Sequence, residues 1–235
     1  MADDDFNIES LAAYLHLGAA LVQRMADRGQ IPGRKVAGAW RFSQGEIHPW
    51  LEARIGALDD EELHRLEGSL QRSPRGVDLP VSIVDLLPRE AIALPLAART
   101  RSSVIHSMVE LAAQTGWLWD PDTMADAIRS REDMAPTALD NGVALLHPRR
   151  PMPAILAQPF LAFGRTDQRL PFAVGRRVMT DLYFLILSVD DTHHLQTLAR
   201  LSRHLAIPGF LDQLRAASDS EALLQLFRDT APDVV

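Results

Sequence analysis

Three side chains in the second half of the chain have types that could receive a transferable anion. His147 follows the apolar run 143–146, and His194 follows a longer apolar run, 181–189. Neutral imidazole, with an ordinary pKa of about 6.5, is a nucleophile at physiological pH. Arg131 precedes both histidines, and its guanidinium can bind two phosphoryl oxygens at once. If the fold brings the three together, one imidazole could accept a phosphoryl group, the other could donate to it or orient the first, and Arg131 could bind its oxygens.

Each of these side chains also has an ordinary structural explanation. A histidine met alone is more often a hydrogen-bonded core or surface residue than a reactive one. Arg131 could be a solvated residue at a helix end, and His194 could simply begin a helix. His193, directly before His194, is the neighbouring choice for the second histidine.

The segments around these residues alternate between strand and helix patterns. Strand candidates are residues 91–96, 143–146, 154–158, 160–163 and 181–189. Helix candidates run from Ser102 or Ser103 to about 114, from Asp120 to about Arg131, from His194 onward, and near 208–217 and 219–229. The run 181–189 is apolar almost throughout, as expected for a strand buried on both faces. Interleaved strands and helices predict an α/β domain whose sheet is covered by helices on both faces.

This order of residues resembles the enzyme IIA domain of the fructose/mannitol and nitrogen-regulatory branch of the bacterial phosphotransferase system. The matching residues, within roughly 80–230, are Arg131-Glu132, Thr137, Asn141-Gly142-Val143-Ala144-Leu145-Leu146-His147, and His194 followed by Leu195 and Leu198. The resemblance implies an α/β fold with a mixed sheet sandwiched by helices. It also implies a phosphoryl group on His147, donated by a histidine-containing phosphocarrier protein. His194 and Arg131 would complete the reacting site, while Thr137 and Asn141 would either add hydrogen bonds or hold the loop.

The residues beside His147 depart from the pattern of this family. Relatives usually have proline before the histidine and glycine after it, whereas this chain has Leu146 and Pro148. Pro148 has no backbone N–H to serve a phosphate or a tight turn. Arg149 and Arg150, which follow, could compensate with positive charge.

The first 56 residues show a separate, mostly helical pattern. Leu11, Ala12 and Leu15 predict one apolar helix face, and Leu21, Val22 and Met25 predict a second. Pro32-Gly33 predicts a hairpin, and Ser43 could cap a third helix containing Ile47 and Leu51. Together with Trp40-Arg41-Phe42 and Trp50-Leu51, this pattern resembles an excisionase-type, MerR-like winged helix-turn-helix domain.

That second resemblance implies DNA as a partner. The candidate contacts are Gln23, Arg24 and Arg28 on the second helix, and Arg34, Lys35 and Arg41 on the wing. Residues 1–56 are nearly neutral, which is poor for the release of counterions from DNA. A helical module that packs on a partner is therefore the alternative. A single DNA-binding domain with weak contacts would need to act as a homodimer to bind a specific site.

Composition limits the remaining choices. The chain has 235 residues, a net charge of −7 and no cysteine, which excludes disulfides and thiolate chemistry. We expect no metal site and no cofactor, because neither a metal-ligand spacing nor a glycine-rich nucleotide loop is evident. We also expect no membrane insertion and a cytoplasmic location. The acidic residues 59–62 and the breakers at 74–76 predict a helical linker at 57–77, between domains at 1–56 and 78–235.

Three functions are compatible with this organisation. The fusion favours a phosphorylation-responsive regulator, a phosphocarrier-type histidine phosphotransferase coupled to a DNA-binding domain, with a regulated target protein as a further candidate partner. A component of phosphotransferase-system sugar transport is the second. A non-catalytic interaction module that kept the enzyme IIA fold is the third.

Overall fold

The chain forms two compact units, Met1–Pro80 and Val81–Val235. A computed structural model describes residues 5–15, 18–43, 46–47, 50, 82–173 and 178–230. The predicted linker at 57–77 and most of the predicted third helix lie outside the described residues, and the exact domain boundaries stay a prediction.

The first unit combines two helices with a small antiparallel sheet. Its elements are β1 (Asp5–Phe6), α1 (Ile8–Leu15), α2 (Ala19–Asp27), β2 (Arg34–Val36) and β3 (Ala39–Ser43). Strand β3 lies between β1 and β2, so the predicted hairpin wing is present. Its turn is formed by Ala37 and Gly38, both with positive φ, which is the turn type that matches strand twist. Gly33 packs so close to the ring of Phe42 that a side chain there would collide with it.

The predicted apolar face of the second helix was right at Val22 and wrong at Leu21. Helix α2 buries Val22 and Ala26, whereas Leu21 is 38% exposed. Residues four apart lie on one face of a helix, and Leu21 is rotated by about 100° from Val22. Leu21 therefore adds apolar surface to the exposed start of α2.

The second unit contains six helices and four strands among its described residues. They are α3 (Ile83–Leu86), β4 (Ile92–Ala93), α4 (Arg101–Ala113), α5 (Pro121–Met134), β5 (Val143–Leu146), β6 (Phe160–Pro171), β7 (Met179–Leu187), α6 (Asp191–Ala206), α7 (Phe210–Ala216) and α8 (Ser220–Thr230). The sheet order is β4-β6-β7-β5. Strands β6 and β7 are antiparallel, while β4 pairs with β6 and β5 pairs with β7 in parallel. The predicted mixed α/β sheet is confirmed.

Helices cover both faces of this sheet. Alternate residues of β7 point to opposite faces, and apolar side chains pack against helices on each face. Tyr183, Leu185 and Leu187 join the apolar cluster that contains the buried residues of α4 and α5. Phe184 points the other way and meets the ring of Phe227 on α8, with ring centroids 6.3 Å apart. The near-continuous apolar run of the sequence is therefore a strand buried on both sides, as predicted.

Several element boundaries differ from the sequence prediction. Helix α4 begins earlier than expected, because Thr100 and Ser103 form a reciprocal capping box. Helix α5 continues to Met134, and α6 begins before His194, capped by Asp190. The predicted strand 154–158 was wrong: residues 153–155 form a single 3-10 turn that starts at a proline, which cannot donate to a strand ladder.

Candidate functional site

His147 lies at the carboxyl end of β5, directly after Leu146. Strand β5 runs parallel to β7, with Leu146 opposite Leu185, so the residues that follow both strands meet at one edge of the sheet. This edge is where α/β sheets usually bind ligands. The side chain of His147 is buried, with 3% of its surface exposed.

A backbone contact determines which nitrogen of His147 can react. Its Nδ1 lies 2.7 Å from the carbonyl oxygen of Leu145. A carbonyl oxygen only accepts hydrogen bonds, so Nδ1 carries the proton and Nε2 carries the lone pair. Nε2 is the atom of this ring that can act as a nucleophile.

His194 brings a second imidazole to the same place. It lies in the first turn of α6 and is 4% exposed, and its ring centroid is 5.0 Å from that of His147. His193 is partly exposed instead, and its Nδ1 pairs with the cap residue Asp190 at 2.7 Å. The structure therefore brings together the two histidines chosen from the sequence, and His193 serves the start of the helix.

A serine that the sequence analysis missed also contacts this site. Ser188 follows β7 directly, is 3% exposed, and has its Oγ 3.3 Å from Nδ1 of His194. Its own carbonyl accepts the backbone N–H of Met152 at 3.2 Å. The available signal was position: Ser188 interrupts an apolar run at the carboxyl end of a buried strand.

Arg131 lies in the last turn of α5, and 9% of its surface is exposed. Its Nη1 donates to the carbonyl of Ala135 at 2.7 Å, so it is not a solvated helix end. The segment that begins at Ala135 runs back beside β5, where the Leu145 N–H donates to the carbonyl of Thr137 at 3.4 Å. Arg131 is thus tied to the segment that pairs with the strand of His147, and its role as a phosphoryl clamp stays a prediction.

Glu132 belongs to the motif that carried the resemblance, but the sequence analysis assigned it no role; in the structure it holds this segment in place. It is 1% exposed, and its carboxylate accepts both the backbone N–H of Thr137, at 3.2 Å, and the Thr137 hydroxyl. Burial raises the pKa of Glu132 above its ordinary value, and the Thr137 hydrogen bonds oppose that shift. Because its hydroxyl is engaged by Glu132, Thr137 matches the loop-holding role rather than a phosphoryl contact.

Asn141 lies at the other end of β5. Its Oδ1 accepts the backbone N–H of Val143 at 3.2 Å, and its carbonyl accepts from Nη2 of Arg215 at 2.9 Å. The intervening strand separates it from His147 by roughly 15–20 Å. Asn141 therefore also matches the loop-holding role, beside Gly142, whose positive φ makes the turn into β5.

In the first unit, acidic side chains occupy several of the predicted DNA contacts. Asp27 accepts from Gln23 at 3.0 Å and from the indole of Trp40 at 3.1 Å, and it pairs with Lys35 at 3.8 Å. These two hydrogen bonds, that of Gln23 first, lower the pKa of Asp27. Arg34 pairs with Asp5 at 2.7 Å. The favourable charge of the wing is thus partly neutralised within the unit.

Some of the candidate contacts line a groove formed by the start of α1, α2 and the wing, and others lie outside its lining. Arg24 and Arg28 are exposed on and just after α2. Arg41 is partly buried and donates to the carbonyl of Trp40 at 3.1 Å. The groove has a volume of about 320 Å³, and its walls include Gln23, Lys35, Trp40 and Arg41. Gln23, Lys35 and Arg41 therefore share this groove, and contact of any of the six residues with DNA stays a prediction.

None of the helices in the described part of the chain has both the length and the apolar character needed to cross a bilayer.

Comparison with known proteins gives two family matches. Residues 85–230 match the model described as "Phosphoenolpyruvate-dependent sugar phosphotransferase system, EIIA 2", and residues 6–55 match a helix-turn-helix domain model.

Among curated relatives, the nitrogen regulatory protein of Escherichia coli (strain K12) is 28% identical over 155 residues, covering 65% of this chain and 93% of the relative. The fructose-specific EIIABC component of Bacillus subtilis (strain 168) is 27% identical over 148 residues. That alignment covers 62% of this chain but only 23% of the longer relative.

Two solved structures share the fold of the second unit. Nitrogen regulatory protein IIA-Ntr from Neisseria meningitidis superposes with a TM-score of 0.55 at 22% identity, covering 62% of this chain and 98% of that one. IIA mannitol from Escherichia coli superposes with a TM-score of 0.53 at 20% identity, covering 60% and 97%.

Proposed function

The chain belongs to the EIIA 2 family of the phosphoenolpyruvate-dependent sugar phosphotransferase system, and we propose that His147 accepts a phosphoryl group from a histidine phosphocarrier. Members of this family are phosphotransfer proteins. The observation that carries the proposal is the pair of buried imidazoles of His147 and His194. Their ring centroids lie 5.0 Å apart, where the parallel strands β5 and β7 end. The bond from Nδ1 of His147 to Leu145, which leaves the lone pair on Nε2, supports it further.

In the proposed step, the lone pair of His147 Nε2 attacks the phosphorus of a phosphohistidine on the donor. The P–N bond of the donor breaks, and its electron pair returns to the donor ring. If the donor ring is protonated at its other nitrogen, it leaves as neutral imidazole, so no net proton transfer is needed. The ring of His147 keeps its Nδ1–H and becomes cationic, and the Leu145 carbonyl at 2.7 Å stabilises that charge.

The oxygens of the phosphoryl group require positive charge and hydrogen-bond donors during this transfer. We assign His194 as a donor from the facing ring and Arg131 as the guanidinium that binds two oxygens. Arg149 and Arg150, which are exposed beyond Pro148, add positive charge near a group that brings about −2. Nε2 of His147 is buried, so the residues that cover it have to move before a donor can approach.

A first experiment tests the acceptor. The protein is incubated with phosphoenolpyruvate, the first enzyme of the system and its phosphocarrier, and the phosphoform is followed by electrophoresis. We expect no phosphoform in His147→Ala, slower labelling in His194→Ala and in Arg131→Lys, and normal labelling in the control His106→Ala, which changes an exposed histidine of α4. Unchanged labelling of His147→Ala would exclude this histidine as the acceptor.

We propose further that phosphorylation regulates what the first unit binds. The match of residues 6–55 to a helix-turn-helix domain supports this role, as do the two basic side chains, Lys35 and Arg41, that line the groove. The nitrogen regulatory relatives, which the chain covers over 93% of their length, are consistent with a regulator.

Two alternatives remain open to the same assay. The fructose-specific relatives support a transport component, for which the phosphoform would pass its phosphoryl group to a permease B domain. The burial of Nε2 supports a non-catalytic interaction module. Adding purified B domain to the phosphoform tests the first, and absence of any phosphoform supports the second.

A further inference from the structure

Ser188 has a buried hydroxyl that contacts one side chain in the described part of the second unit. It is 3% exposed, and the contact of its Oγ with Nδ1 of His194 at 3.3 Å is the one hydrogen bond its side chain makes to the described residues. Its backbone is anchored separately, because its carbonyl accepts the N–H of Met152. The backbone position of Ser188 is therefore held independently of His194.

The direction of this hydrogen bond follows from what each group can do. A serine hydroxyl both donates and accepts, and a neutral imidazole Nδ1 does one or the other. If Nδ1–H donated to Ser188, the serine proton would be left buried with no acceptor among the described residues. Such an unsatisfied donor is costly. If Ser188 donates to Nδ1, both groups are satisfied, and the proton of His194 must lie on Nε2.

The two histidines then have opposite tautomers. Leu145 accepts from Nδ1 of His147, so Nε2 of His147 is an acceptor and a nucleophile. Ser188 donates to Nδ1 of His194, so Nε2 of His194 is a donor. The ring centroids lie 5.0 Å apart with the ring planes inclined at 54°, so the Nε2–H of His194 is a donor close to the ring that would be phosphorylated.

We propose that Ser188 is a positioning residue that holds His194 in its Nε2–H tautomer, so that His194 presents a hydrogen-bond donor to the phosphoryl group received by His147. The proposal rests on the acceptor role of His147. A phosphoryl dianion has no hydrogen to donate and only accepts hydrogen bonds, so the opposite tautomer would direct a lone pair at an anion. Ser188 acts only through His194 and needs no contact with the phosphoryl group.

Nitrogen NMR of the full-length, unphosphorylated chain tests the tautomer directly. Long-range proton–nitrogen spectra distinguish an Nε2–H from an Nδ1–H imidazole, and His194→Gln identifies the signals. We expect the Nε2–H form in the wild type, a mixture or the Nδ1–H form in Ser188→Ala, and the Nε2–H form again in Ser188→Thr, which keeps the hydroxyl. Ser202→Ala is the control, because it removes a hydroxyl from α6, the helix that carries His194, about 12 Å along the helix axis from His194.

Transfer kinetics provide the second arm. We expect Ser188→Ala to slow phosphorylation of His147 about three- to tenfold, the worth of one hydrogen bond, at an unchanged half-saturating concentration of phosphocarrier. Ser188→Thr should restore the rate to within about twofold of wild type.

An Nδ1–H tautomer of His194 in the wild type would overturn the proposal, and this measurement does not depend on the folding of the Ser188 variants. Equal transfer rates for Ser188→Ala and wild type would overturn it as well. A third outcome separates the two proposals. If neither the wild type nor any variant is phosphorylated, but His194 is Nε2–H only when residue 188 has a hydroxyl, the acceptor role of His147 fails and the tautomer assignment stands.

Discussion

His147 and His204 are both buried imidazoles, yet their surroundings give them different chemistry. His147 is oriented by a backbone carbonyl and faces another imidazole. Nδ1 of His204 lies 3.0 Å from the Thr230 hydroxyl, which itself donates to a helix carbonyl and so must accept from His204. The ring of Phe227 lies 5.2 Å from that of His204. His204 is therefore a core residue, the ordinary fate of a lone histidine.

His204 predicts an acid-sensitive stability. Burial, and then the charges of Arg200 and Arg203, lower the pKa of His204 from 6.5 to about 4. Between these values the unfolded chain binds a proton that the folded chain does not, so the free energy of unfolding falls as pH drops from 6.5 toward 4. This group should contribute a loss on the order of 2 kcal/mol at pH 5.

The prediction is checked by urea unfolding of wild type and His204→Gln at pH 7 and pH 5. The wild type should lose more free energy of unfolding on acidification than the variant does. Parallel losses in the two proteins would show that His204 does not titrate in this way.

At the scale of elements, the segment between α5 and β5 decides how His147 is presented. Glu132 at the end of α5 accepts from Thr137, the carbonyl of Thr137 accepts from the N–H of Leu145, and the carbonyl of Leu145 accepts from His147. A buried carboxylate is thus connected to the imidazole by successive hydrogen bonds. Loss of the first contact should be felt at the last.

We expect Glu132→Ala to lower the free energy of unfolding by about 2–3 kcal/mol, because it leaves two Thr137 donors unpaired. It should also slow phosphorylation of His147. Glu132→Gln keeps an oxygen acceptor and should be closer to wild type in both measurements. If the alanine and glutamine variants behave alike, the hydrogen bonds to Thr137 are not what Glu132 contributes.

The wing of the first unit leads to a prediction about charge. Asp27 is a fixed anion between α2 and the wing, 3.8 Å from the ammonium of Lys35. Asp27→Asn keeps an acceptor for Trp40 but removes that charge. If this groove binds DNA, the variant should bind about three- to tenfold more tightly at low salt, with a salt dependence steeper by about one ion.

Anisotropy titration of labelled genomic fragments at low and high salt provides the measurement. Glu46→Gln, an exposed carboxylate change elsewhere in the unit, is the matched control for net charge. Failure of both the wild type and Asp27→Asn to bind at low salt would reject DNA as a partner of this unit.

At the scale of the whole molecule, the chain joins a phosphotransfer fold to a helix-turn-helix unit. The proposed signal is the charge of about −2 that a phosphoryl group brings to the second unit. A binding equilibrium of the first unit that responds to this charge would make the protein a regulator rather than a simple carrier.

We therefore expect DNA affinity to differ at least about twofold between phosphorylated and unphosphorylated protein, measured as above. His147→Ala, carried through the same phosphorylation mixture, should bind like the untreated wild type. Identical binding of both forms at every salt concentration would contradict the coupling and leave the acceptor role intact.

Much of this molecule could be predicted from its sequence. The apolar run of β7, the helical stripe after His194 and the hairpin of the wing follow from periodicity and turn chemistry, which are local properties. The pairing of His147 with His194 came from a family resemblance and agrees with the structure. The α/β architecture follows from the same alternation of elements.

Only the tertiary structure decided which side chains meet. Ser188 lies at the site because β7 runs parallel to β5, so that both strands end at the same edge of the sheet. Asn141 lies away from the site because its turn precedes β5, at the opposite end of that strand from His147. The roles of Glu132 and Asp27 also depend on tertiary contacts. Glu132 accepts from Thr137, and Asp27 accepts from Trp40, and neither contact follows from the sequence pattern. Periodicity tells which face of an element is buried, but strand order and register determine what that face touches, and these depend on contacts between residues far apart in the chain.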